Sequence, residues 1–151
     1  LLQVSAPSRI VNVASQFAGD LDLDDLQFER RPFESMKAYA QSKACDRLFT
    51  WALARRLKGT PVTANAMAPG LVPDTGLFRH SPPQVVAGLR QRSGRTAAQG
   101  AETAVWLASS PDVEGVSGKF FVDRKKTSCE FRNKTAEEKL WSVCENLIKP
   151  V

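Results

Sequence analysis

The sequence is poor in the residues that build metal centres and disulfide frameworks. Its 151 residues hold one histidine, His80, and three widely spaced cysteines, Cys45, Cys129 and Cys144, with no Cys-x-x-Cys pair. An odd, scattered set argues against structural zinc and against a disulfide scaffold. Reduced thiols and no metal site are expected, with Cys45 packed rather than nucleophilic. His80 stands in a proline-flanked loop without carboxylate or cysteine company and takes no role. No run of about 18 apolar residues occurs, so no membrane span is expected. No signal-peptide pattern follows Leu1, and the expected setting is cytoplasmic. Internal repeats and low-complexity tracts are absent. A net charge of +5 raises nucleic acid as a partner. Yet the basic residues are scattered, with only Arg30-Arg31 and Arg124-Lys125-Lys126 as short runs and no interleaved aromatics, so no nucleic-acid partner is expected.

Tyrosine is equally scarce. Tyr39 is the only one, and Lys43 stands four residues after it, one helical turn away. A lysine ammonium at that distance favours a phenolate and suits a phenol to proton transfer. The same pair also occurs on ordinary solvated helix faces, so the neighbours decide. Upstream, the β-branched run from Arg9 to Ser15 reads as a buried parallel strand. Ser15 ends it, placed either to meet a ligand in the crevice beyond the strand ends or only to turn the chain. Downstream, Pro61 to Ala68 is a second strand, closed by Pro69-Gly70. Gly70 either lets a flat ring approach the backbone or simply ends the strand.

With 42% hydrophobic residues the chain can form a core, but its three convincing strands, the last at Ser117 to Phe121, are fewer than a usual sheet. It reads as part of a domain. A helix is expected from about Ser35 to Lys58, apolar on more than one side, which suggests a second covered face, as a partner subunit in a homo-oligomer would provide. Thr96-Ala97-Ala98-Gln99 and Thr135-Ala136-Glu137-Glu138 both fit a capping box. The helices they start are expected to bury Val105, Trp106 and Leu107, and Leu140, Trp141, Cys144 and Leu147. Residues 19–34 and 73–94 read as polar loops. A parallel sheet of the three runs with helices on its faces follows.

Ser15, Tyr39-Ala40-Gln41-Ser42-Lys43 and Asn65-Ala66-Met67-Ala68-Pro69-Gly70, in this order, resemble the second half of the short-chain dehydrogenase/reductase family. The long interval from Ser15 to Tyr39, with Asp24-Asp25-Leu26-Gln27, is similar to its retinol dehydrogenase branch. Thr75-Gly76-Leu77-Phe78-Arg79 and the tail around Trp141 also resemble light-dependent protochlorophyllide reductases. The resemblance implies an α/β fold, the C-terminal half of a doubly wound Rossmann-type parallel sheet with flanking helices. It implies an oxidoreductase moving hydride between NADP, or NAD, and a small carbonyl or alcohol substrate. Tyr39 would be the general acid/base, Lys43 would tune it and hold the nicotinamide ribose, and Ser15 would donate to the substrate oxygen. Tyr39, Lys43, Pro69, Gly70, Val72 and Thr75 would line the cofactor, and residues 73–94 would cover the substrate.

Two departures accompany the resemblance. No glycine-rich G-x-x-x-G-x-G turn occurs anywhere in the sequence, so the family's adenine and pyrophosphate site has no counterpart in these residues. The family's threonine four residues after the Pro-Gly glycine is Asp74 here, with Thr75 next. The competing reading is a catalytically inactive dehydrogenase half that serves as an interaction module.

Overall fold

Every second residue of the strand Val62–Ala68 (β2) is small, and that spacing sets how the layers pack. The structure is a computed structural model that describes residues 1–129 and 131–149. Side chains alternate across a strand. Ala66 and Ala68 therefore meet Leu48 and Trp51 of the helix Ser35–Arg56 (α1), while Met67 meets Leu107 of the helix Ala97–Ser109 (α3) on the opposite face. Alanines on one side let α1 lie close to the sheet. β2 pairs in parallel with Ser8–Val13 (β1), from Ser8 beside Val62 to Val13 beside Met67. On its other side it pairs in parallel with Phe120–Val122 (β3). The three expected runs are neighbours in one sheet with helices on both faces, as a doubly wound α/β half requires. The edge of β1 away from β2 has no strand partner among the described residues.

Five details differ from the sequence expectations. A fourth strand, Lys125–Thr127 (β4), folds back antiparallel on β3. The basic run hid it, and so did its turn. Asp123 and Arg124 both have positive φ, 51° and 60°, the geometry of a tight hairpin whose usual signal is Asn-Gly. Within residues 73–94 there is a helix, Pro83–Ser93 (α2), started by a proline at its first position, where no N–H is missed. The helix Lys134–Leu147 (α4) begins earlier than Thr135. Its cap is Asn133, whose side chain accepts the Thr135 and Ala136 N–H groups at 2.9 and 3.3 Å. Val105 and Leu147 are exposed, whereas Leu107 and Leu140 are buried. The cap at Thr96 forms as expected, with both halves of the box present.

The last difference concerns the wide apolar surface of α1. Its second face is covered by this chain's own α4, where Phe49 and Trp141 stack at 5.1 Å between ring centroids. No partner subunit is needed to explain that width. Two carboxylates anchor the contact, since buried Glu137 pairs with Arg55 and Arg132, and Glu138 pairs with Arg55 and Arg56. Among the described residues no helix is long and apolar enough to cross a membrane, and no group of three His, Cys, Asp or Glu is arranged to hold a metal.

The same contact sets an expected pH profile. Arg56 and Arg55 hold the Glu138 carboxyl at about 2, below its ordinary 4.5. Its stabilisation is therefore present above that ordinary value and is lost as pH falls toward 2. Burial, with smaller effects of Cys144 and Asp46, pushes the Cys45 thiol up from 9.0 to about 12. A folded state that keeps this proton loses stability as pH rises from about 9 toward 12. Urea midpoints measured across pH should show a plateau between these limits. Cys45→Ala should flatten the alkaline fall, and an unchanged fall would assign it to other groups.

Candidate active site

Tyr39, Lys43, Arg47 and Thr50 follow one another at helical spacing along α1, which puts them on one stripe. That stripe meets the C-terminal end of β1. The Lys43 ammonium donates to the Val13 carbonyl at 3.1 Å and pairs with Asp46 at 2.9 Å. Arg47 donates to the Ser15 carbonyl. Thr50 accepts from the Asn12 side chain at 2.8 Å and donates to the Asp46 carbonyl at 2.7 Å. Beyond Ala14, whose N–H reaches the Met67 carbonyl at 2.8 Å, the chain turns sharply. The Ser15 hydroxyl accepts the Phe17 N–H at 3.0 Å, and the Phe17 ring lies 6.5 Å from the Tyr39 ring. Ser15, Tyr39 and Lys43 thus lie around one strand end, linked through Val13, Arg47 and Phe17. Among the described residues no group hydrogen-bonds the Tyr39 hydroxyl.

Because β1 and β2 run parallel with Val13 beside Met67, the residues after β2 lie at the same edge of the sheet. Here Gly70 has φ of +77°, and a Cβ added to it would come within 2.8 Å of the Arg95 side chain. The planar group against this glycine is the guanidinium of Arg95, which donates to the Pro69 carbonyl at 3.4 Å and pairs with Asp123. Val72 packs on Gly100 in the first turn of α3, where a Cβ would meet it at 2.6 Å. Thr75 donates to the Val72 carbonyl at 3.0 Å and is otherwise exposed. Asn65, in the motif before Gly70, is buried and structural. Its amide bonds the Val116 carbonyl at 2.7 Å and the Lys119 N–H at 3.0 Å, tying β2 to the segment that enters β3.

No family model matches the chain. It is 42% identical to human retinol dehydrogenase 14 and to human retinol dehydrogenase 12, over 98% and 97% of its own length. It is also 39% identical to a polyprenol dehydrogenase of Danio rerio over 87% of its length. The chain spans about half the length of the retinol dehydrogenases it matches, 46% and 48%. Its fold matches a solved structure of an uncharacterized protein from Mycobacterium paratuberculosis, with a TM-score of 0.63 over 92% of this chain and 49% of that one at 23% identity. These likenesses support a member of the short-chain dehydrogenase/reductase family. The retinol dehydrogenase likeness accords with the long interval between Ser15 and Tyr39.

The geometry admits the nicotinamide group that this dehydrogenase family implies. An ammonium has three donors, and Lys43 spends two, on Val13 and Asp46, so one remains for a ribose hydroxyl. At Gly70 the fit is conditional, because a nicotinamide on that face would need Arg95 to swing aside. Sequence reading passed over Arg47, Thr50, Asp46 and Arg95. The first two carried a usable signal, since they continue the Tyr39–Lys43 stripe at helical spacing. It also passed over Gln41. Its buried amide accepts the Asp22 N–H at 2.9 Å and donates to the Asp25 and Leu26 carbonyls at 3.3 and 3.2 Å, holding residues 22–26 against α1.

Proposed function

We propose that the full-length protein carrying this chain is an oxidoreductase that moves hydride between NADP(H), or NAD(H), and a carbonyl or alcohol, with Tyr39 as general acid/base. The observation that supports this most is the α1 stripe fastened to the end of β1, which brings Tyr39, Lys43 and the Ser15 turn to one place. The Ser15 oxygen already accepts from Phe17, so its own proton is available to donate. Aimed at a substrate oxygen, it would stabilise charge developing there. Tyr39 would give that oxygen a proton in reduction and take one in oxidation. Lys43 would hold the ribose with its remaining donor, and Pro69, Gly70, Val72 and Thr75 would border the ring once Arg95 moved. The nicotinamide, when bound, supplies the hydride.

An apolar alcohol or aldehyde, the kind of substrate in the names of the retinol and polyprenol dehydrogenases, is the substrate class we favour. Val13, Phe17 and Met36, which border Tyr39 along the strand end and the helix, are each more than half exposed. The second reading, an inactive interaction module, draws support from the open edge of β1 and from Arg95 lying over Gly70. One comparison separates the two. The full-length protein should transfer deuterium from nicotinamide-labelled NADPH or NADH to a long-chain aldehyde. These 151 residues alone, which contain no glycine-rich turn, should bind either nucleotide weakly in calorimetric titration. Absence of label transfer with both nucleotides would favour the module.

A further inference from the structure

Arg47 is 5% exposed, yet among the described residues no carboxylate pairs with it. A buried cation without an acid partner is costly unless other groups take its charge. Here those groups are unusual. The guanidinium lies 3.8 Å from the Phe120 ring centroid and 5.3 Å from that of Phe131, near the Cys129 sulfur at 3.7 Å, and its Nε has no hydrogen-bond partner among the described residues. Its one oxygen acceptor among the described residues is the main-chain carbonyl of Ser15. The two aromatic faces hold the planar group in place, and the guanidinium in turn holds that carbonyl.

From this geometry we infer that Arg47 is a positioning residue for Ser15, an assignment that rests on the reaction proposed above. The Ser15 turn is held at two points, its carbonyl by Arg47 and its hydroxyl oxygen by the Phe17 N–H. With both engaged, the hydroxyl proton is left to point outward. The same turn sets the Phe17 ring against Tyr39, so releasing the carbonyl would disturb the alignment of Ser15 with Tyr39 as well as Ser15 itself. A lysine at 47 would keep a charge and one donor but lose the flat stacking, so it would hold the turn less well.

Two measurements test this. In the 151-residue chain, Arg47→Met should speed amide exchange at Phe17 about tenfold while Ala64 to Met67 keep their protection, and Arg47→Lys should fall between. In the full-length protein, Arg47→Met should lower kcat roughly tenfold with the nucleotide KM unchanged, the effect of a misplaced rather than absent group. In a Ser15→Ala background the same change should add nothing, because the residue it acts through is gone. Unchanged exchange at Phe17 would overturn the proposal, as would an undiminished kcat loss in the Ser15→Ala background, which would mean general packing. Should Arg47→Met not fold, Arg47→Lys carries both comparisons with smaller expected changes. Normal turnover of Tyr39→Phe would fail the reaction while leaving the exchange test of Arg47 standing.

Discussion

Tyr39→Phe is expected to lower turnover of the full-length protein by about 10²–10⁴-fold, the usual range for losing a positioned acid/base, while nucleotide affinity stays within a few-fold. The change removes one oxygen and no packing. The ring that faces Phe17 at 6.5 Å is retained, and among the described residues no hydrogen bond is lost with the hydroxyl. No second tyrosine exists in the chain to take its place. Lys43 offers a poorer test, because its ammonium also ties α1 to the Val13 carbonyl, so replacing it would mix chemistry with docking of the helix. Single-turnover hydride transfer, compared with calorimetric nucleotide binding, separates the two effects. Turnover within a few-fold of the parent would reject Tyr39 as the proton donor.

Arg55→Met should destabilise the chain by about 2–3 kcal/mol in urea unfolding. Glu137 is 1% exposed and takes its charge balance from Arg55 and, at 3.6 Å, from Arg132. Removing Arg55 leaves a buried carboxylate with a single distant partner. The value falls below the about 3–5 kcal/mol usual for broken buried pairs because the Arg55 side chain is a third exposed and solvent screens it. Adding Glu137→Leu to Arg55→Met should recover most of the loss, since an apolar pair avoids the desolvation that the ions must overcome. A double variant no more stable than Arg55→Met would show that Glu137 is not the source of the cost.

The strands, α1 and the Thr96 cap were legible because each rests on local chemistry: β-branched runs closed by Pro-Gly, an apolar 3.6-residue pattern, and a hydroxyl three residues before a glutamine. That α1 crosses back to the C-terminal end of β1, where Lys43 reaches the Val13 carbonyl, was legible from a parallel crossover. What escaped depended on distant partners or on unusual backbone. The β3–β4 turn places Asp123 and Arg124 at positive φ without an Asn-Gly signal. The start of α4 fell to Asn133, where a capping-box match two residues later drew attention away. The cover of the second face of α1 is not legible, because nothing in the helix's own sequence shows that the chain returns to it through Phe49 and Trp141. Arg95 gave no local sign, since its position over Gly70 depends on Asp123 in a hairpin far along the chain.

The polar stripe of α1 also makes that helix a ruler. Tyr39, Lys43, Arg47 and Thr50 reach the end of β1 only while the spacing between them holds. Inserting or deleting one residue inside this stretch would turn everything beyond it by about 100° and slide it about 1.5 Å along the axis, separating the groups that grip the strand from the phenol. Residues 19–21 are tied to the same helix, the Gly19 N–H donating to the Ala40 carbonyl at 3.2 Å and Leu21 packing on the core. Length variation in descendants of this sequence should therefore be absent between Tyr39 and Thr50, where it would part the grip on the strand from the phenol.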